Sequence, residues 1–186
     1  MPEELKGRIL KAEDLIEYQE GAFLGLENRS LKMMAERPSL DEYFLGIAYV
    51  VGKCATCLRS NVGAVIVRDK QIISTGYNGV PGGMEHCLDI GCIRDLNEIP
   101  SGMWKEKCRA VHAEQNAIIQ AAIHGVSIAG ATIYCTHQPC FMCTKMIINS
   151  NIKRVVYSVP YPNTDYLAFF KSAGVEIEHI PFELKY

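Results

Sequence analysis

The chain has 186 residues, 48% of them apolar, and its 19 Lys plus Arg against 21 Asp plus Glu leave a formal charge of −2. That is near one typical domain with enough apolar side chain for a single core, and the charge argues against a main role in gripping a nucleic-acid polymer, so a small ligand is expected. The longest strongly apolar run, residues 43–51, is far short of the roughly 20 residues that cross a bilayer, and residues 1–10 hold no apolar signal-peptide core; the expectation is therefore no membrane partner and a cytoplasmic location.

Residues 1–37 are charged, with Leu5, Ile9, Leu15, Ile16, Phe23 and Leu24 in loose helical spacing, and read as an N-terminal helical arm before a main domain over 38–186. Pro38 and Ser39 break that pattern. Ser39 with Glu42 three positions on is a capping-box signal for a helix running to about Cys54. The β-rich runs 62–67 and 71–77, joined by the polar turn Arg68-Asp69-Lys70, predict a hairpin. Residues 78–109 then form a long Gly- and Pro-containing stretch with three cysteines, and a loop of that length is usually functional or held by something. Ala113, Ala117, Ile118, Ala121 and Ala122 recur at helical spacing before Gly125, predicting a helix over about 112–124. Strand, helix, strand, helix and strand follow over 131–136, 140–150, 154–157, 165–172 and 175–179. Alternation of that kind predicts parallel strand pairs beside the antiparallel hairpin: an α/β domain with a mixed sheet covered by helices.

Eight cysteines in a reducing setting point to metal or catalysis before disulfides. The strongest motif is His112-Ala113-Glu114 together with Pro139-Cys140-Phe141-Met142-Cys143, each at the start of a predicted helix. Cys140 and Cys143 share a helix face and can close on one ion, and a helix N-terminus favours their thiolates. With His112 as third ligand, one tetrahedral position stays open for water, the form of a catalytic zinc site. Glu114 is then the proton carrier rather than a ligand. In this reading zinc lowers the pKa of its water from about 15.7 toward 7, Glu114 takes the proton, hydroxide attacks an electron-poor ring carbon bearing an amino group, and ammonia leaves. His-x-Glu alone is a common surface or cap pattern, and Cys-x-x-Cys alone has redox work as a rival; no thioredoxin-like pattern surrounds it, and the two halves in this order are specific where the parts are weak.

At these residues the sequence resembles the zinc-dependent cytidine deaminase-like superfamily and, within it, the deoxycytidylate (dCMP) deaminases, especially the bacterial competence-associated branch. Cys57-Leu58-Arg59, Val62-Gly63-Ala64-Val65, Thr75-Gly76-Tyr77-Asn78-Gly79-Val80-Pro81, His112-Ala113-Glu114-Gln115-Asn116-Ala117 and Pro139 to Cys143 match that family's blocks in its order, over residues 40–162. The resemblance implies a three-layer α/β/α cytidine deaminase-like fold with a mixed five-stranded sheet. It also implies hydrolysis of dCMP to dUMP and ammonia, supplying dUMP for thymidylate synthesis. A homohexamer activated by dCTP and inhibited by dTTP goes with it, a triphosphate effector bringing magnesium.

The resemblance assigns further residues. Asn78 matches the asparagine that holds sugar and base, its alternative being a turn residue beside Gly79. The Ala113 N–H, without an intrahelical partner, would bind the pyrimidine carbonyl. Tyr161 falls where the family places an aromatic near the nucleotide, its alternative an ordinary packed tyrosine. Arg59 and Asn61 are the candidates for the nucleotide phosphate, with a solvated surface role as the alternative for Arg59. Cys57, Cys87, Cys92 and Cys108 fall at positions resembling a second, structural zinc site that would order the long loop, with His86 as the fallback ligand; Cys54 reads as a buried free thiol in its helix. Other cytosine nucleotides such as dCTP and CMP, free cytidine, guanine, and a base in tRNA or single-stranded DNA are competing substrates. A zinc-stabilised accessory protein without turnover is a third reading, and Glu114 speaks against it because a structural zinc has no use for a poised carboxylate.

Overall fold

The structure, a computed structural model, describes residues 37–100, 103–161 and 166–184. Nearly all of the expected arm over 1–37 lies outside the described residues. Helix α1 (Leu40–Gly52) opens the domain, with both halves of the capping box in place: Glu42 N–H donates to Ser39 Oγ (3.2 Å) and Ser39 N–H to Glu42 Oε2 (2.7 Å). The helix stops two residues short of Cys54. That thiol, expected to be buried, is therefore exposed beyond the C-cap Lys53.

Strands β1 (Gly63–Arg68) and β2 (Gln71–Tyr77) form the expected antiparallel hairpin. Asp69 and Lys70 turn it with φ of 52° and 61°, the left-handed pair whose twist matches the flanking strands. β3 (Thr132–His137), β4 (Arg154–Val159) and β5 (Glu176–His179) complete a sheet of order β2-β1-β3-β4-β5, in which β3 runs antiparallel to β1 and parallel to β4, and β4 runs parallel to β5. The parallel pairs are connected by helices α5 (Phe141–Asn149) and α6 (Leu167–Ser172), and α4 (Ala113–Ile123) precedes β3.

Both sheet faces are covered, so the central strands are apolar at successive positions rather than alternately. Val65, Val67, Tyr134 and Val156 pack against Phe44, Leu45 and Ala48 of α1. Ala64, Ile66, Ile133, Cys135, Val155 and Tyr157 face the other way, against Ala113, Ala117 and Ala121 of α4, Cys143 and Ile147 of α5 and Phe170 of α6. Leu45, Ile66, Ile133, Ile147 and Phe170 are at 0% exposure, each such burial contributing about 1.5–3 kcal/mol. The mixed five-stranded, three-layer α/β/α architecture agrees with the sequence reading. The loop over 78–109 has structure of its own: single-turn helices α2 (Cys87–Ile90) and α3 (Ile93–Leu96) and a 3₁₀ turn over Lys105–Lys107. Its ends are joined by an antiparallel bridge, Gly79 N–H to Val111 O (3.2 Å) and Val111 N–H to Gly79 O (2.8 Å).

Candidate active site

The bridge at Val111 delivers the chain straight to His112, the N-cap of α4, whose N–H donates to Gln115 Oε1 (2.9 Å). At the carboxyl end of β3 the chain turns through Gln138 and Pro139 to Cys140, the N-cap of α5, with Cys143 in the first turn. Two helix N-termini thus meet beside the carboxyl ends of the parallel strands, where open α/β sheets bind their ligands. A cavity of about 140 Å³ opens there, its wall including His112, Ala113, Glu114, Cys140, Asn78, Arg59 and Tyr161.

His112 Nδ1 lies 3.4 Å from Cys140 Sγ and 3.4 Å from Cys143 Sγ, and the two sulfurs are 3.6 Å apart. A tetrahedral zinc with bonds of about 2.3 Å to sulfur and about 2.0–2.1 Å to nitrogen sets its donors about 3.5–3.8 Å apart, so the triangle fits the ion. Among the described residues this is the one trio of potential ligand atoms gathered within 4.8 Å of one another. The eight cysteines are free thiols. The hydrogen bond with Cys143, aided by His112, draws Cys140 down to about 3, a thiolate, while the same bond and burial push Cys143 up. One proton is thus shared between two sulfurs, and a dication would displace it.

Glu114 is 4% exposed, and burial raises its carboxyl above the usual 4.5, with the nearby His112 acting in the opposite sense. A carboxyl shifted in that direction holds a proton readily, which is what a proton carrier needs. Two positions apart on a regular helix, His112 and Glu114 would face different ways, and the sequence reading needs Glu114 in a first turn to reach the site. The helix boundary supplies that geometry: His112 is the extended N-cap (φ −74°, ψ 158°) and Glu114 belongs to the first turn.

The other expected contact residues divide. Ala113, buried as the first residue of α4, and half-buried Tyr161 line the cavity; burial and then the Glu114 charge push the Tyr161 phenol up to about 12. Asn78 lines it too, but its amide is engaged with the loop after α1: Oδ1 accepts from Val62 N–H (2.8 Å) and Nδ2 donates to Ser60 O (2.8 Å). Arg59 lines the cavity while pairing with Asp95 (Nε to Oδ1, 2.7 Å) and donating from Nη2 to Ile99 O (2.6 Å); its Nη1 has no protein partner. Asn61 is exposed and is not brought to the cavity wall. Cys57, Cys87, Cys92 and Cys108 all reach the same wall, Cys87 and Cys92 buried, but no three of their sulfurs gather within 4.8 Å. Burial, then the neighbouring Cys92, Cys57 and Cys108, push the Cys87 thiol up.

Sequence reasoning passed over several residues. His137, whose imidazole burial holds below the ordinary 6.5, lines the cavity and contacts Thr136 Oγ1 through Nδ1 (3.0 Å). Buried Arg94 lines it as well, donating to Pro100 O (3.0 Å) and Met103 O (2.8 Å). Gln138, 1% exposed, fills the elbow before Pro139. The one available signal was position, since His137 and Gln138 stand directly before Pro139-Cys140.

Residues 38–159 match the family described as the cytidine and deoxycytidylate deaminase zinc-binding region. ComE operon protein 2 of Bacillus subtilis (strain 168) is 41% identical over 150 residues, 80% of this chain and 75% of that protein. The deoxycytidylate deaminase of Mycobacterium phage D29 is 42% identical over 126 residues, 65% of this chain and 95% of that one. The crystal structure of the dCMP deaminase from the cyanophage S-TIM5 in complex with dCMP and dUMP is similar with a TM-score of 0.65 at 31% identity, covering 78% of this chain and 99% of that chain.

Proposed function

The chain belongs to the cytidine and deoxycytidylate deaminase family, and from that premise we propose that it hydrolyses the 4-amino group of dCMP, giving dUMP and ammonia. The observation that carries the reading is the triangle of His112, Cys140 and Cys143, with His112, Cys140 and buried Glu114 on one cavity wall. Bound zinc would supply Lewis-acid activation of water. The protein's own work is positional and protonic. His112 and Cys140, as N-caps, hold the metal-binding edge between two helix starts; the Glu114 carboxylate takes one proton from water and passes it to the ring nitrogen, then takes the proton of the newly added hydroxyl and passes it to the departing amine. The first-turn N–H of Ala113, on the cavity wall, would donate to the pyrimidine carbonyl oxygen.

Arg59 is the residue proposed for the 5′-phosphate, supported by its place on the cavity wall and by an Nη1 without protein partner. Cys57, Cys87, Cys92 and Cys108 are proposed to hold a structural zinc, supported by their shared place on that wall. A zinc assay returning one ion per chain, unchanged in Cys87→Ser or Cys92→Ser, refutes that second site. The central test is an ultraviolet assay over dCMP, dCTP, CMP and deoxycytidine, with and without dCTP as effector. Loss of cytosine absorbance fastest with dCMP is expected, and no turnover of dCMP refutes the reading.

A further inference from the structure

Gln138 stands where the elbow leading to Cys140 meets the chain leaving β4. Its side chain is enclosed and both ends of its amide are used: Oε1 accepts from Tyr161 N–H (3.1 Å) and Nε2 donates to the Tyr166 hydroxyl (3.2 Å). Its own N–H donates to Val159 O (2.8 Å), so the residue is fixed to the end of β4 by backbone as well. Tyr161 lines the cavity, and its ring stands 6.3 Å from that of His137, the residue before Gln138. Tyr166 in turn packs near Phe141, the residue after Cys140, with ring centroids 6.4 Å apart.

We propose that Gln138 is a positioning residue for substrate binding: it ties the Tyr161 backbone, and through Tyr166 the start of α6, to the elbow that carries Cys140, and so sets the distance between the aromatic wall and the metal-binding edge. This rests on the reading of the cavity as the nucleotide site. The physical ground is that a buried amide with both ends satisfied is a rigid spacer, whereas an apolar side chain of the same length leaves the Tyr161 N–H without its acceptor. A residue acting in this way changes how tightly the nucleotide is held more than how fast the held nucleotide reacts, because Glu114 and the three metal-binding side chains keep their places.

The test compares Gln138→Met, which keeps the length and removes both hydrogen bonds, with Tyr166→Phe, which removes one, and with the double variant. Each is purified with zinc, and zinc content, melting temperature, KM and kcat for dCMP, and calorimetric dUMP affinity are measured. Gln138→Met is expected to raise KM and weaken dUMP binding about tenfold, with kcat falling by less and zinc content unchanged, the size set by two lost hydrogen bonds of ordinary strength. Tyr166→Phe is expected to give about a threefold effect, and the double variant to be no worse than Gln138→Met, since the bond to Tyr166 is already gone. Unchanged KM and dUMP affinity in a folded Gln138→Met protein, loss of zinc, or independent effects that multiply in the double variant would overturn the proposal. If Gln138→Met does not fold, the Tyr166→Phe values decide alone: a rise in KM supports the tie and wild-type values refute it. Should the wild-type protein leave dCMP untouched but deaminate another member of the substrate panel, the dCMP assignment fails, and the same ratios read on that substrate still decide the role of Gln138.

Discussion

Gly76→Ala tests how the catalytic helix is held. β2 passes α4 so closely at Gly76 that an added Cβ would sit inside the contact distance of Ala113 O, Ala117 N and Asn116 C, all of them backbone atoms. The helix is pinned on either side of that point, by Ser74 Oγ donating to Ala117 O (2.6 Å) and Asn116 Nδ2 donating to Tyr77 O (2.7 Å). It cannot rotate away and has to retreat by about 1 Å, carrying His112 and Glu114 with it, and a displacement of that size costs roughly 10²-fold in rate. Overpacking costs about 1–3 kcal/mol, and weakening the two pins adds about 1 kcal/mol. A loss of about 3 kcal/mol lowers the melting temperature of a chain this size by about 10 °C. The assay is kcat and KM for dCMP by loss of cytosine absorbance, with thermal melting alongside. Gly82→Ala is the control, since a methyl there meets nothing within 4 Å. Wild-type turnover and melting in Gly76→Ala would show that the helix start is not positioned through β2.

Three further outcomes are expected. Glu114→Gln should lower kcat by about 10³-fold or more with zinc content retained, because the amide keeps the shape and loses the transferable proton; retained turnover would remove Glu114 from proton transfer. Chelation with 1,10-phenanthroline should abolish turnover and lower the melting temperature, with zinc restoring both and magnesium restoring neither. Asp41 accepts two hydrogen bonds from Arg154 (2.7 and 2.9 Å) and one from Tyr134 (2.7 Å), and Arg154 holds its carboxyl below the ordinary 3.8. Asp41→Asn should therefore cost about 2 kcal/mol. Because the folded value is the lower one, that stability gap is fully present above the ordinary carboxylate range and closes as pH falls through the lowered value. Denaturant melts at pH 7 and pH 3 measure it, and an equal gap at both would refute the ion pair as its source.

Much of the fold was legible because its signals are local. The Ser39–Glu42 box set the start of α1, the polar turn at Asp69-Lys70 joined two β-rich runs, and helix alternating with strand after His112 required parallel pairing. The error at Cys54 has the same origin. Its apolar neighbours suggested burial, but the helix ends at Gly52, and Gly52 rather than Cys54 is packed against the chain entering β1. The two single-turn helices in the long loop escaped notice because four residues are too few for any periodicity to register.

Within the site, the metal triangle was readable because His112, Cys140 and Cys143 all sit on helix starts that the sequence marks. What shapes the cavity around it was not, because each of those ties joins distant segments. Asn78 illustrates the difference. The resemblance gave it a ligand-facing role, yet its amide braces Ser60 and Val62, so any contact with a nucleotide uses the remaining hydrogen on Nδ2 or lone pair on Oδ1. Arg59 likewise braces Asp95 and Ile99 while lining the cavity. These residues hold the loop on the cavity wall first and can meet substrate only with what that bracing leaves over. Replacing them therefore perturbs the loop together with the ligand contact, whereas Gly76, Ser74 and Asn116 act on His112 through the helix alone. That separation is why a substitution in β2, remote in sequence from His112, Cys140 and Cys143, is the cleaner probe of how catalytic geometry is set.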